Sequence, residues 1–142
     1  MKMAQVLGLF FVAFILNFIW EEAHRVLYVS YQGGDITQLI LLRAALVDAV
    51  VITVLFGPLL FFTRGKRFLW ISMLLALAFA VGLERFAFAT DRWVYQPSMP
   101  LVPFLGTGLT PTIQLALLGV LAFYIHSRFC KAMDIPLTHP CE

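Results

Sequence analysis

Residues 4–20 read AQVLGLFFVAFILNFIW, and residues 21–25 continue EEAHR. No charge falls in the first of these stretches, and bulky apolar side chains occupy every helical phase of it. A helix that is apolar all round lies inside a large core or inside a bilayer. At about 1.5 Å per residue, the run and its continuation through Val26, Leu27 and Tyr28 cover the roughly 30 Å of a hydrocarbon core. Only Lys2 precedes it as a basic residue, and EEAHR stands where a small-x-small cleavage site would be. It therefore reads as a retained membrane helix, not as a signal peptide.

Three further apolar runs follow, and the composition has the same cause. The 142 residues are 61% apolar and only 13% charged, against about 25% charged in a soluble domain. That leaves too little polar surface to cover a water-soluble core, and it excludes a disordered chain or a disulfide scaffold. The expected fold is an all-α integral membrane protein, a four-helix transmembrane bundle forming a single domain over residues 1–142. Its helices are expected at about 4–28, 39–62, 68–90 and 109–127, with a tail at 128–142. Gly33–Gly34 marks a turn before the second helix, with Asp35 or Thr37 as its N-cap. Pro58 is placed to kink that helix, and Pro111 suits the first turn of the fourth.

The net charge of +2 hides a segregation. With four spans, Lys2, the loop trio Arg64, Lys66 and Arg67, and the tail pair Arg128 and Lys131 share one side with Asp134 and Glu142. The positive-inside rule then places both termini and the TRGKR loop in the cytoplasm. A multi-pass protein of a bacterial inner (plasma) membrane is the expected setting. The remaining acids, Glu21, Glu22, Asp35, Asp48, Glu84 and Asp91, lie in the outer half or the outer loops with Arg25, Arg43, Arg85 and Arg92. The opposite halves of the helices are almost purely apolar.

Several of these outer charges fall inside apolar runs. From Leu39, Arg43 is about 6 Å and Asp48 about 13 Å down the second helix. Glu84 is comparably deep in the third, Glu21 and Glu22 end the first, and Thr110, Thr112 and Gln114 occupy the same level of the fourth. Isolated ions there are costly, so these groups should face one another or a polar cavity. Asn17, Glu21, His24 and Tyr28 follow helical spacing along one stripe of the first helix. Glu84, Phe88 and Asp91 repeat it on the third. Glu21, His24, Glu84 and Asp48 are thus the candidate acid/base groups, because carboxyls away from water hold protons and an imidazole relays them. The structural alternatives are ion pairs, Asp48 with Arg85 or Glu84 with Arg43.

Around these acids, Asn17, Trp20, Tyr28, Arg43, Arg85, Asp91, Arg92, Trp93, Tyr95 and Gln114 are candidate substrate contacts. Arg43 and Arg85 suit an anionic headgroup, and the aromatic faces suit a cationic intermediate. The segment DRWVYQPSMP at 91–100 reads either as a Pro-stiffened lid or as an ordinary interfacial aromatic belt. Glu21–His24 has the i, i+3 spacing of di-iron bundles in a single copy, so no metal and no cofactor are assigned. Cys130 and Cys141 fall on the cytoplasmic side and give no disulfide signal.

The toolkit fits an intramembrane acid/base enzyme acting on a lipid-like substrate, of isoprenoid, sterol or carotenoid isomerase or cyclase type. Its partners would be membrane lipids and a hydrophobic small molecule. A small proton-coupled transporter or ligand-binding membrane protein is the alternative, and a four-helix carrier would need to form a homodimer. A structural subunit of a membrane complex is the third. No motif indicates nucleic-acid binding, and no family motif can be matched residue by residue.

Overall fold

The inward faces of these helices are recognisable by what they lack. Along the first helix Leu7, Phe11, Ile15 and Ile19 are exposed, whereas Gln5, Leu9, Ala13 and Asn17 are buried. The third repeats the pattern, with Trp70, Leu74 and Phe79 outside and Ser72, Ala76, Ala80, Glu84 and Ala87 inside. Lipid is as apolar as leucine, so small and polar residues mark the helix–helix contacts and large aliphatic ones face outward. Four helices are long and apolar enough to cross a membrane. The protein is a multi-pass membrane protein with a transmembrane helical bundle.

The structure, a computed structural model, describes residues 2–62 and 65–132, with the side chains of Lys2 and Lys131 excepted. Arg64, Asp134, Cys141 and Glu142, which entered the charge and cysteine readings, lie outside the described residues. The helices are α1 (Lys2–His24), α2 (Gln38–Phe56), α3 (Leu69–Ala89) and α4 (Leu109–Ala132). Thr37 begins α2 by accepting a 3.4 Å hydrogen bond from the Ile40 amide, and Asp35 plays no part in that cap. α2 gives way to a 3-10 turn at Gly57–Phe61, with Pro58 in its first positions. A second 3-10 turn, Gly65–Phe68, leads into α3.

α4 touches all three other helices, while α1 and α3 barely meet. Leu9, Ala13, Ile52, Phe56, Leu118 and Phe123 fill the centre. A Cβ on Gly119 would come within 2.3 Å of the Phe56 ring, so glycine there lets α4 approach α2. Ser72 donates a 2.7 Å hydrogen bond to the Leu55 carbonyl and ties the start of α3 to the end of α2. Away from that tie the two helices pack over less of their length than α1 packs on α2 or α3 on α4. The pair is closed at one end and looser at the other.

The expected extent of the first helix, to residue 28, needs correction. α1 stops at His24, a 3-10 turn spans Arg25–Leu27, and Tyr28–Tyr31 forms a strand, β1, that pairs antiparallel with β2 (Trp93–Tyr95). Tyr28 opposes Tyr95 and Tyr31 opposes Trp93, with a bulge between Tyr28 and Ser30. Aromatic cross-strand pairs and a β-branched Val29 favour this pairing over one more helical turn. The ribbon joins the α1–α2 and α3–α4 connections at the looser end of the bundle. α3 likewise ends at Ala89, where the Thr90 amide and hydroxyl both bond to the Phe86 carbonyl. Asp91 is past the helix in a left-handed conformation (φ 49°) and does not continue the Glu84–Phe88 stripe.

Candidate functional site

The site begins with an amide. Gln114, in the second turn of α4, directs Nε2 at three acceptors from two other helices. These are Asn17 Oδ1 at 3.1 Å, Glu21 Oε1 at 2.8 Å and Asp48 Oδ2 at 2.9 Å. Asn17 is fixed in turn, because its Nδ2 donates to the Ala13 carbonyl at 2.8 Å and so leaves Oδ1 facing Gln114. Asn17, Asp48 and Gln114 are buried, and Glu21 is partly so. A carboxamide nitrogen carries two hydrogens. Three acceptors crowd those two hydrogens, and two of them are carboxyl oxygens drawn toward one nitrogen.

Glu84 approaches from α3 and is only 3% exposed. Its Oε2 accepts from the Gly108 amide at 3.4 Å, and that amide also donates to the Tyr95 hydroxyl at 3.1 Å. Tyr95 packs edge-on against Phe88 and tilts against Tyr28, which meets Trp93 edge-on. Each acid is therefore met by neutral donors. The alternative ion pairs, Asp48 with Arg85 and Glu84 with Arg43, do not form. Among the described residues the ion pair present is Arg25–Glu22, at 3.6 Å on the helix surface.

Between these groups lies a cavity of about 270 Å³. Glu21, Asp48, Glu84 and Gln114 all line it, as do Tyr28, Tyr31 and Trp93 of the ribbon. Arg43 and Arg92 line it as well, Arg43 from an exposed position on α2. Ile40, Ala44 and Val47 of α2 and Ala80 and Leu83 of α3 supply apolar wall. Val47 lines the cavity and is nevertheless 51% exposed. The α2 side of the cavity wall is therefore partly exposed.

The remaining candidates stand elsewhere. His24 does not line the cavity; its Nε2 meets the Thr110 hydroxyl, which also donates to Met99 Sδ at 3.3 Å. Its ring lies between Trp20 and Tyr28, and Nδ1 is buried with no partner among the described residues. Helical spacing with Glu21 does not bring the imidazole to the carboxyl cluster. Trp20 packs on His24 outside the cavity, and Asp91 is exposed. Arg85 donates to the Leu105 carbonyl at 3.3 Å instead of facing a ligand. Arg92 lines the cavity, and its guanidinium sits 4.9 Å above the Phe86 ring.

Two features escaped the sequence reading. Ser30 and Tyr31 reach the cavity because Tyr28–Tyr31 is a strand. At the opposite end of the bundle, Gln5, Ser72, His126 and Ser127 are buried, so those halves are not purely apolar. His126 Nε2 lies 3.5 Å from Cys130 Sγ, and the imidazole occupies space that any side chain at Gly8 would fill. The i, i+4 spacing of His126 and Cys130 was the available signal. Among the described residues no group of three His, Cys, Asp or Glu side chains is placed to hold a metal ion.

Tyr28 lies just beyond the first span. Burial pushes its phenol well above the usual tyrosine range, and Glu84, Glu21 and Asp48 act in the same direction. The unfolded chain releases this proton near pH 10 and the folded chain keeps it, so stability falls as pH rises above that point. Tyrosinate absorbance at pH 11 in the folded protein should accordingly be the same for wild type and Tyr28→Phe. A smaller signal in the variant would show that Tyr28 ionises with the rest.

The chain matches no protein-family model, no curated protein and no solved structure in comparisons with known proteins.

Proposed function

We propose that the protein is an intramembrane acid/base enzyme acting on a lipid-like substrate, of isoprenoid, sterol or carotenoid isomerase or cyclase type. The observation that carries this reading is the cavity, where three carboxyls from three helices meet at a pocket with apolar walls, one of whose residues, Val47, is also exposed on α2. A substrate diffusing in the bilayer would enter between α2 and α3 and place its chain along Ile40, Ala44, Val47 and Leu83. The Glu21–Asp48 pair, sharing a proton under Gln114, would protonate one carbon of a double bond. Glu84, across the cavity, would accept a proton from another carbon. Protons are conserved and no redox step is needed. The faces of Tyr28 and Trp93 suit the intervening cation, and correctly placed carboxyls contribute about 10²–10⁴-fold in such transfers.

In this reading the cavity lies in the outer half of the bundle. The described basic residues Lys66, Arg67 and Arg128 lie at the other end, which favours a cytoplasmic location for that end and for both termini. A bacterial inner membrane fits the same arrangement. The transporter reading, with its homodimer, has less support. A packed layer of Leu9, Ile52, Phe56, Leu118 and Phe123 separates the cavity from the buried polar residues at the far end. A purely structural subunit would have no use for an open cavity lined by unpaired acids.

Mass spectrometry of lipids that co-purify with wild type, Glu21→Gln and Glu84→Gln tests the proposal. Wild type should carry a substrate together with a product of equal mass and different retention, and the variants the substrate alone. Identical lipid profiles in all three would count against catalysis at these residues.

A further inference from the structure

The cavity separates its charges. Its acids are met by neutral donors, Gln114 and the Gly108 amide, while its arginines have no carboxylate within 4 Å among the described residues. Arg43 comes from the second turn of α2, about 6 Å below the end of an apolar run, where an unpaired cation is costly. Arg92 comes from the α3–α4 connection and is held at its backbone. Its amide bonds to the Ala87 carbonyl at 2.9 Å, and its carbonyl accepts from Gln32 at 2.6 Å. Trp93 beside it also lines the cavity, and its indole N–H is buried with no hydrogen-bond partner among the described residues. Ser30 and Tyr31 line the same cavity from β1. The cavity wall thus includes Arg43 of α2, Arg92 and Trp93 of the α3–α4 connection and Ser30 and Tyr31 of β1.

We propose that Arg43 and Arg92 bind the phosphoryl headgroup of an anionic amphiphile whose apolar chain leaves the cavity between α2 and α3. The inference rests on the reading of the cavity as a lipid-substrate site and names the class of substrate it takes. Guanidinium forks on two separate elements match an anion with three or more acceptor oxygens. A carboxylate, with two oxygens, is satisfied by one fork. Headgroup binding here leaves the chain to meet the apolar wall and the carboxyls deeper in the cavity.

Binding of matched twelve-carbon probes tests this without reference to turnover, so it stands or falls whether or not the lipid extracts reveal conversion. Dodecyl phosphate, dodecanol and dodecylamine are titrated into the protein in a neutral sugar detergent, with tryptophan fluorescence as the readout. Dodecyl phosphate should bind at least about tenfold tighter than the other two. Arg43→Gln and Arg92→Gln should each weaken it by about tenfold, a normal size for a lost charge-assisted contact. Arg43→Lys, which keeps the charge and loses the fork, should fall between wild type and Arg43→Gln. Thermal unfolding of each variant confirms that it is folded. Equal affinity for the three probes, or unchanged dodecyl phosphate affinity in the folded glutamine variants, would overturn the proposal. Inorganic phosphate competing at the concentration of the amphiphile would also overturn it, by assigning the site to the free anion.

Discussion

Gln114→Leu is expected to destabilise the folded protein by about 3 kcal/mol or more and to abolish its activity. One amide serves Asn17, Glu21 and Asp48, so its removal leaves three acceptors around an apolar side chain. Each buried group left without a partner costs about 1–3 kcal/mol, and a charged one costs more. The cost belongs to the stranded partners and not to the glutamine. Adding Glu21→Leu and Asp48→Leu to Gln114→Leu should therefore recover most of the stability, because an apolar replacement of a whole polar cluster is close to neutral. Activity should not return. Thermal unfolding in detergent checks both variants. A triple variant no more stable than the single one would show that the cluster is not the energetic unit described.

The second large effect concerns turnover. Asp48→Asn and Glu84→Gln keep the size of each side chain and remove its ability to exchange a proton. Each should lower conversion by at least about 100-fold while leaving the protein folded. Asp48 is held by Gln114, and its amide replacement still offers an oxygen to that donor. Glu84 is held by the Gly108 amide, and a glutamine there likewise keeps an acceptor. A drop in turnover accompanied by an equal drop in folded protein would indicate that these acids serve packing. A drop without one places the proton chemistry on them.

Much of this architecture was legible because the relevant signals are single-residue properties. The run at 4–20 admits no soluble reading, and four such runs give four spanning helices. Asp48, Glu84 and Gln114 stood out because each interrupts an apolar helix, where a polar group needs a partner. Partner choice was not legible. Arg43 and Arg85 are plausible mates for Asp48 and Glu84 by depth, yet the acids take neutral donors and Arg85 turns to the Leu105 carbonyl. Pairing depends on angles around four helices, which sequence spacing does not fix. His24 illustrates the same limit: helical spacing aligns it with Glu21, but Thr110 of α4 captures its ring. The ribbon was obscured because YVSY at 28–31 is short and directly continues a strong helical run. Its strand character depends on Trp93–Tyr95, more than sixty residues later in the chain.

Deuterium from solvent reports whether the carboxyls deliver a proton to carbon. Membranes from native cells carrying the protein, and membranes lacking it, are incubated in D2O, and the extracted lipids are washed in H2O to remove label from oxygen and nitrogen. If one carboxyl protonates a carbon while another removes a proton elsewhere, one lipid class should gain a single carbon-bound deuterium per turnover. The gain should require the protein and disappear in Glu84→Gln. Lipids that carry no carbon-bound deuterium above the membranes lacking the protein would contradict the account.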